Sequence, residues 1–233
     1  MSQYLKSGDF IGGSKFLNDV RDSVASGQPD AMGVLPGTAY GGGLTSGDYL
    51  RLNDAEALQL SDTSVGTLWG GVYRRVYFKS GITGGGTTGF KRGQIVFWDL
   101  VAVAAGTATD PYQVTNVEAT DSGLIAGIVI NATDTAGAPL SGFYGWIQVA
   151  GLASVVGRAA LTTTTALNYA VWAKLGAGAD NGAMDVLIAS TGTLTLGVAA
   201  TGVLNVIGQA VVTAVNSTPT LVQLYDWRFM QRC

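Results

Sequence analysis

From Trp69 onward, apolar residues recur at every second position in short bursts separated by glycine, asparagine and threonine clusters. That period places alternate side chains on opposite faces of a β-strand. "VYRRVYFK" shows it plainly: Val72, Arg74, Val76 and Phe78 alternate with Tyr73, Arg75, Tyr77 and Lys79. Further strands are predicted in "QIVFWDLVAV", "YQVTNVE", "LIAGIVIN", "FYGWIQVA", "LASVVG", "YAVWAKL", "MDVLIAS", "TLTLGVA", "VLNVIGQAVVTA" and "TLVQLYDW". With no long helix between them, these strands predict a mainly β fold, an antiparallel sandwich or barrel-like domain. In "GFYGWIQVAG", Phe143, Gly145, Ile147 and Val149 share one face, and Tyr144, Trp146, Gln148 and Ala150 the other. Both faces are largely apolar or aromatic, so the second needs cover from an opposing sheet or another copy of the chain.

The first 68 residues follow another pattern. "SKFLNDVRDSVAS" sets Phe16, Leu17, Val20 and Val24 on one helical face, with Ser14 as N-cap, Gly27 as stop and Pro29 beyond. A Gly/Pro-rich stretch follows, and "NDAEALQL" then opens one or two helical turns with Asn53 and Glu56 as a capping box. Residues 1–68 therefore read as an extended arm with short helices, and residues 69–233 as the β-rich domain.

Echoes within that domain have two readings, an internal duplication or coincidence in a low-complexity β chain. "FWDL" is echoed by "VWAKL", with Trp98 and Trp172 standing 74 apart, and "IQV" at Ile147 by "VQL" at Val222, 75 apart. "AGIV" and "IGQA" match only at an offset near 81. The two copies would span residues 91–156 and 169–227.

Composition narrows the function. Charged residues make up 12% of the 233-residue chain, about half the usual share, and the net charge is −3. No Lys/Arg stripe tracks phosphates, the nearest being Arg74-Arg75, so nucleic acid is not expected as a partner. So apolar a chain predicts surface covered by copies of itself or by a partner. "MSQYLKSGDF" carries no signal-peptide pattern, and the uncharged stretch 186–225 is broken by glycines, asparagines and Pro219, so no membrane helix is expected. The single cysteine, Cys233, allows no intrachain disulfide.

Candidate chemistry is sparse. With no histidine, the commonest general base and most zinc sites are missing. The 16 acidic residues are scattered, mostly in turns such as Asp110-Pro111 and Asp121-Ser122-Gly123, and no spacing selects a catalytic pair. "GADNGAMD", with Asp180, Asn181 and Asp185, lacks calcium-loop spacing and reads as a hairpin. The glycine triplets at Gly41 and Gly84 have no following Lys-Ser/Thr and read as loops. The expectation is a non-enzymatic protein without cofactor, metal or catalytic residues. The aromatic and apolar residues Phe16, Leu17, Val20, Tyr144, Trp146, Trp227 and Phe229 are the candidate interface.

"GLIAGIVINATDTAGAP" followed by "GFYGWIQVAGLASV" resembles the β-rich capsid decoration, or cement, proteins of tailed bacteriophages, over residues 91–156 and more weakly over 169–227. The resemblance implies a virion structural protein on the outer face of an icosahedral shell, assembled in the bacterial host cytoplasm. Its implied partners are the major capsid protein and copies of itself, as a trimer or other homo-oligomer. The alternative is a fibre, tail or adhesin component that binds glycans through exposed aromatics.

Overall fold

The computed structural model describes residues 47, 49–60, 67–79, 90–116, 124–130, 142, 144–161, 170–173, 182–186, 188–190, 193–195, 206–214 and 216–225. The predicted helix carrying Phe16, Leu17 and Val20, and the C-terminal Trp227 and Phe229, lie outside them. Twelve strands are described: β1 (Tyr49–Leu52), β2 (Gly71–Phe78), β3 (Ile95–Trp98), β4 (Gln113–Thr115), β5 (Ile125–Val129), β6 (Tyr144–Val156), β7 (Ala170–Ala173), β8 (Met184–Val186), β9 (Ile188–Ser190), β10 (Thr193–Thr195), β11 (Val206–Ala210) and β12 (Pro219–Leu224). Two short helices, α1 (Asp54–Leu60) and α2 (Leu100–Ala104), accompany them. The protein is mainly β.

The pairings form two circuits. In the first, β2 pairs with β4, β4 with β3, β3 with β5, β5 with β6, and β6 returns to β2. This closes a five-stranded ring, with β1 as an extra strand against the start of β2. The second circuit starts where β6 runs past Gly151. It goes from β6 to β12, β11, β7 and β8, and a bridge from Met184 to Gly157 brings it back to the end of β6. Every strand pairing is antiparallel except β2–β4, and its counterpart, the Gly157 bridge, is parallel too.

The registers of the two rings correspond from Tyr73 on β2 and Leu152 on β6 onward; a bulge between Val72 and Tyr73 has no counterpart in the second ring. Val129 faces Ile147 as Ala210 faces Val222, and Ile128 faces Gln148 as Gln209 faces Gln223. A bulge between Val96 and Phe97 on β3 and Gly127 and Ile125 on β5 recurs between β7 and β11, placing Gly208 where Gly127 stands. Arg74 opposes Ile147 as Ala153 opposes Val222. The backbone bond from Lys79 N–H to the Val114 carbonyl is matched by that from Arg158 N–H to Met184. Even the left-handed residue before the returning strand recurs, Gly142 at φ 84° and Ser217 at φ 55°.

Alternation along these strands divides the core. Val76, Phe78, Val96, Trp98, Val114, Ala126, Ile147 and Val149 are buried in one cluster, the interior of the first ring. The opposite parity of β3 and β5 (Ile95, Phe97, Ile125, Ile128) joins the second cluster with Val155, Met184, Ile207, Val222 and Leu224. The outer face of the β3–β5 ribbon is therefore buried against the second ring. Trp146 is completely buried and belongs to the first cluster with Leu52, Ala57 and Leu68. The second face of "GFYGWIQVAG" is thus covered at Trp146, Gln148 and Ala150 within the one chain.

Local chemistry explains the element ends. In α1, Asn53 N–H donates to Glu56 and Glu56 N–H to the Asn53 side chain, the reciprocal capping box predicted from the sequence. The apolar run "QIVFWDLVAV" does not stay extended. Asp99 stops β3 by accepting from Ala102 N–H, and Leu100–Ala104 turns into α2. "FYGWIQVA" and "LASVVG", read as two strands, form the single strand β6.

Candidate functional site

Among the described residues, Arg74 is the charged residue on the interior face of the first ring. Arg74 lies between Val72 and Val76 on β2, and its guanidinium carbon sits 4.8 Å from the ring centre of Tyr49, 4.9 Å from Trp98 and 4.6 Å from Tyr112. Three elements bring these rings together. Tyr49 is the cross-strand partner of Arg74 on β1, Trp98 ends β3, and Tyr112 precedes β4. Both β1 and β4 pair with the same edge of β2, and the cage occupies the gap between them. There Gly47 N–H donates to the Arg75 carbonyl, and the Tyr112 ring packs so closely on Gly47 that a Cβ would collide with it. Trp98 and Tyr112 meet edge to face at 6.3 Å.

A buried polar network holds the two inner rings. The Asp99 carboxylate, fully buried, accepts from Lys79 Nζ at 2.7 Å, from Gln113 Nε2 at 2.9 Å and from Ala102 N–H at 3.2 Å. Asp110 accepts from Tyr112 N–H at 2.7 Å, which sets the turn into β4. In the second ring the residue matching Lys79 is Arg158, and its Nη1 lies 2.6 Å from the buried carboxylate of Asp185. Asp185, weighed in the sequence as part of a calcium-like loop, is thus an ion-pair partner. Among the described residues no group of three or more His, Cys, Asp or Glu could hold a metal ion.

A cleft of about 510 Å³ opens where β6 passes from one ring to the other, with Trp69, Arg92, Gln148, Ser154, Val212 and Leu221 among its lining. Among the described residues no carboxylate lines it, so those residues offer no acid–base pair there. The Tyr73 hydroxyl donates to the Trp69 carbonyl, and burial pushes its pKa well above the ordinary tyrosine value, so it stays protonated.

Of the candidate interface residues, Trp146 is in the core, and the Tyr144 side chain lies outside the described set, although its backbone pairs with Tyr77. The apolar residues that the chain leaves exposed include Leu100, Val101 and Leu124, and no residue of α2 is buried. Sequence reading missed this patch because "DLVAV" resembles the rest of its strand. It missed the Arg74 cage for another reason: the signal, a cation between two valines on an apolar face, was visible, but its aromatic neighbours are distant in sequence.

No family model matches the chain, and neither the search of curated proteins nor that of solved structures returned a match. Among the described residues no helix is long and apolar enough to cross a membrane.

Proposed function

We propose that the chain is a non-enzymatic structural protein of a bacteriophage particle, attached to the outer surface of the capsid and reinforcing the shell through contacts with the major capsid protein and with its own copies. The observation that carries this reading is the uncovered apolar surface at α2, where Leu100 is 41% exposed, Val101 57% and neighbouring Leu124 50%. A chain with 12% charged residues leaves this patch open after both rings have closed their own cores. Patches of this kind suit attachment to another protein. Attachment repeated over a lattice turns weak single contacts into a stable coat.

The glycan-binding alternative draws less support. Trp146 is inside, and Trp98 is only 7% exposed with Arg74 beside its ring, which leaves tyrosines such as Tyr49 and Tyr225 as the exposed aromatics among the described residues. Purified particles from the source, analysed by mass spectrometry, test the proposal. Copy numbers near those of the major shell protein are expected, and loss of particle binding by Val101→Asp would place the contact at α2. A few copies per particle would favour a fibre or tail component, and absence would overturn the reading.

A further inference from the structure

We propose that Arg74 and its three aromatic rings form a receptor for a carboxylate. This rests on the cage itself and not on the virion reading. An arginine on the inner face of a β-ring is expected to meet an acid, since a partly desolvated guanidinium with a buried N–H and no acceptor is unfavourable. Among the described residues, the interactions of Arg74's side chain are the three ring contacts, and its Nε is buried with no hydrogen-bond acceptor. The nearby Asp99 is already committed to Lys79, Gln113 and the start of α2. Asp110 caps the turn at Tyr112.

The geometry also explains how the cation is kept ready. Faces of aromatic rings attract a guanidinium but leave its in-plane N–H groups unused. Arg74 is only partly buried, and Tyr49, the outermost wall, is 47% exposed, so the site opens to solvent on that side. A planar N–H edge held between rings matches the two oxygens of a carboxylate, which takes parallel hydrogen bonds from it. One cation serves one monoanion. A phosphate dianion would call for further positive charge, and Lys79 is engaged with Asp99. The carboxylate can come from a soluble acid or from an Asp or Glu side chain of a neighbouring copy.

The test follows the Arg74 Nε–Hε signal by NMR while sodium propionate replaces sodium chloride at constant ionic strength. A saturable shift in the millimolar range is expected. Arg74→Lys, which keeps the charge but loses the planar edge, is expected to weaken binding about tenfold, read from tryptophan fluorescence, with circular dichroism confirming the fold. Tyr49→Ala, which leaves the arginine in place, is expected to weaken it about threefold. Lys91→Arg, at an exposed position outside the cage, is expected to change nothing. Sedimentation with and without propionate separates the two sources: dissociation of an oligomer points to a neighbouring copy's acid, and unchanged mass to a soluble one. A shift that grows linearly, or equal binding by Arg74→Lys, would overturn the proposal.

Discussion

The two rings share one scheme of pairing but differ in what they place on it. Inside, matched positions are all apolar: Val76 and Val155, Val114 and Met184, Ala126 and Ile207, Ile147 and Val222, Val149 and Leu224. The exception is the position held by Arg74 in the first ring and Ala153 in the second. Outside, the rings diverge. Ile128, packed against the second ring, is matched by Gln209, which is exposed. Trp146, fully buried, is matched by Leu221 at the edge of the cleft. The pairing scheme tolerates almost any outward residue, and the neighbour an outward face meets decides its chemistry.

The sharpest way to break this comparison is at the Trp146 and Leu221 pair. Trp146→Ala is expected to cost about 4 kcal/mol by opening a cavity in a closed core, and Leu221→Ala about 1 kcal/mol, both measured by chemical denaturation. Similar losses at both sites would mean that the outer faces are equally packed. Next come the buried carboxylates. Asp99→Asn is expected to cost about 3 kcal/mol because it weakens an ion pair, a side-chain bond and a helix cap together, and Asp185→Asn about 2 kcal/mol.

The glycines at the matched bulges sharpen the correspondence instead. A Cβ at Gly127 would collide with the Gln148 carbonyl, and one at Gly208 with the Gln223 carbonyl, the matched residue. Gly127→Ala and Gly208→Ala are therefore expected to lower stability by nearly the same amount, about 2 kcal/mol each, in the same denaturation assay. The smallest effect concerns Tyr73, whose counterpart is Leu152. The folded chain holds the Tyr73 proton while the unfolded chain releases it above about pH 10, so stability falls as pH rises past that point, by up to about 1.4 kcal/mol per pH unit. Tyr73→Phe is expected to cost about 1 kcal/mol at neutral pH and to flatten that alkaline slope in pH-dependent unfolding.

The sequence echoes match the pairing registers unevenly, and residues 73–77 of β2 are matched by residues 152–156, inside the span 91–156 read as one copy. "IQV" and "VQL" align in the registers as they do in the sequence, and so do "AGIV" and "IGQA", which places Gly208 on Gly127. The tryptophan echo is one residue out. Trp98 opposes Val114 and Ala173 opposes Met184, so Trp172 matches Phe97. No fixed period finds all the strands, because connections of unequal length separate matched ones and shift the offset from strand to strand.

Alternation determined that the chain is β and which residues share a strand face, and the Asn53 and Glu56 capping box determined where α1 begins, since these depend on neighbours a few positions away. The tertiary structure alone decided that β6 serves both rings, that β2 and β4 run parallel, and that Trp146 is covered within the chain. It also decided that Arg74 meets aromatic rings from three separate segments. Strand pairing and ring contacts join residues far apart in sequence, and no local pattern specifies which distant partner closes the ring.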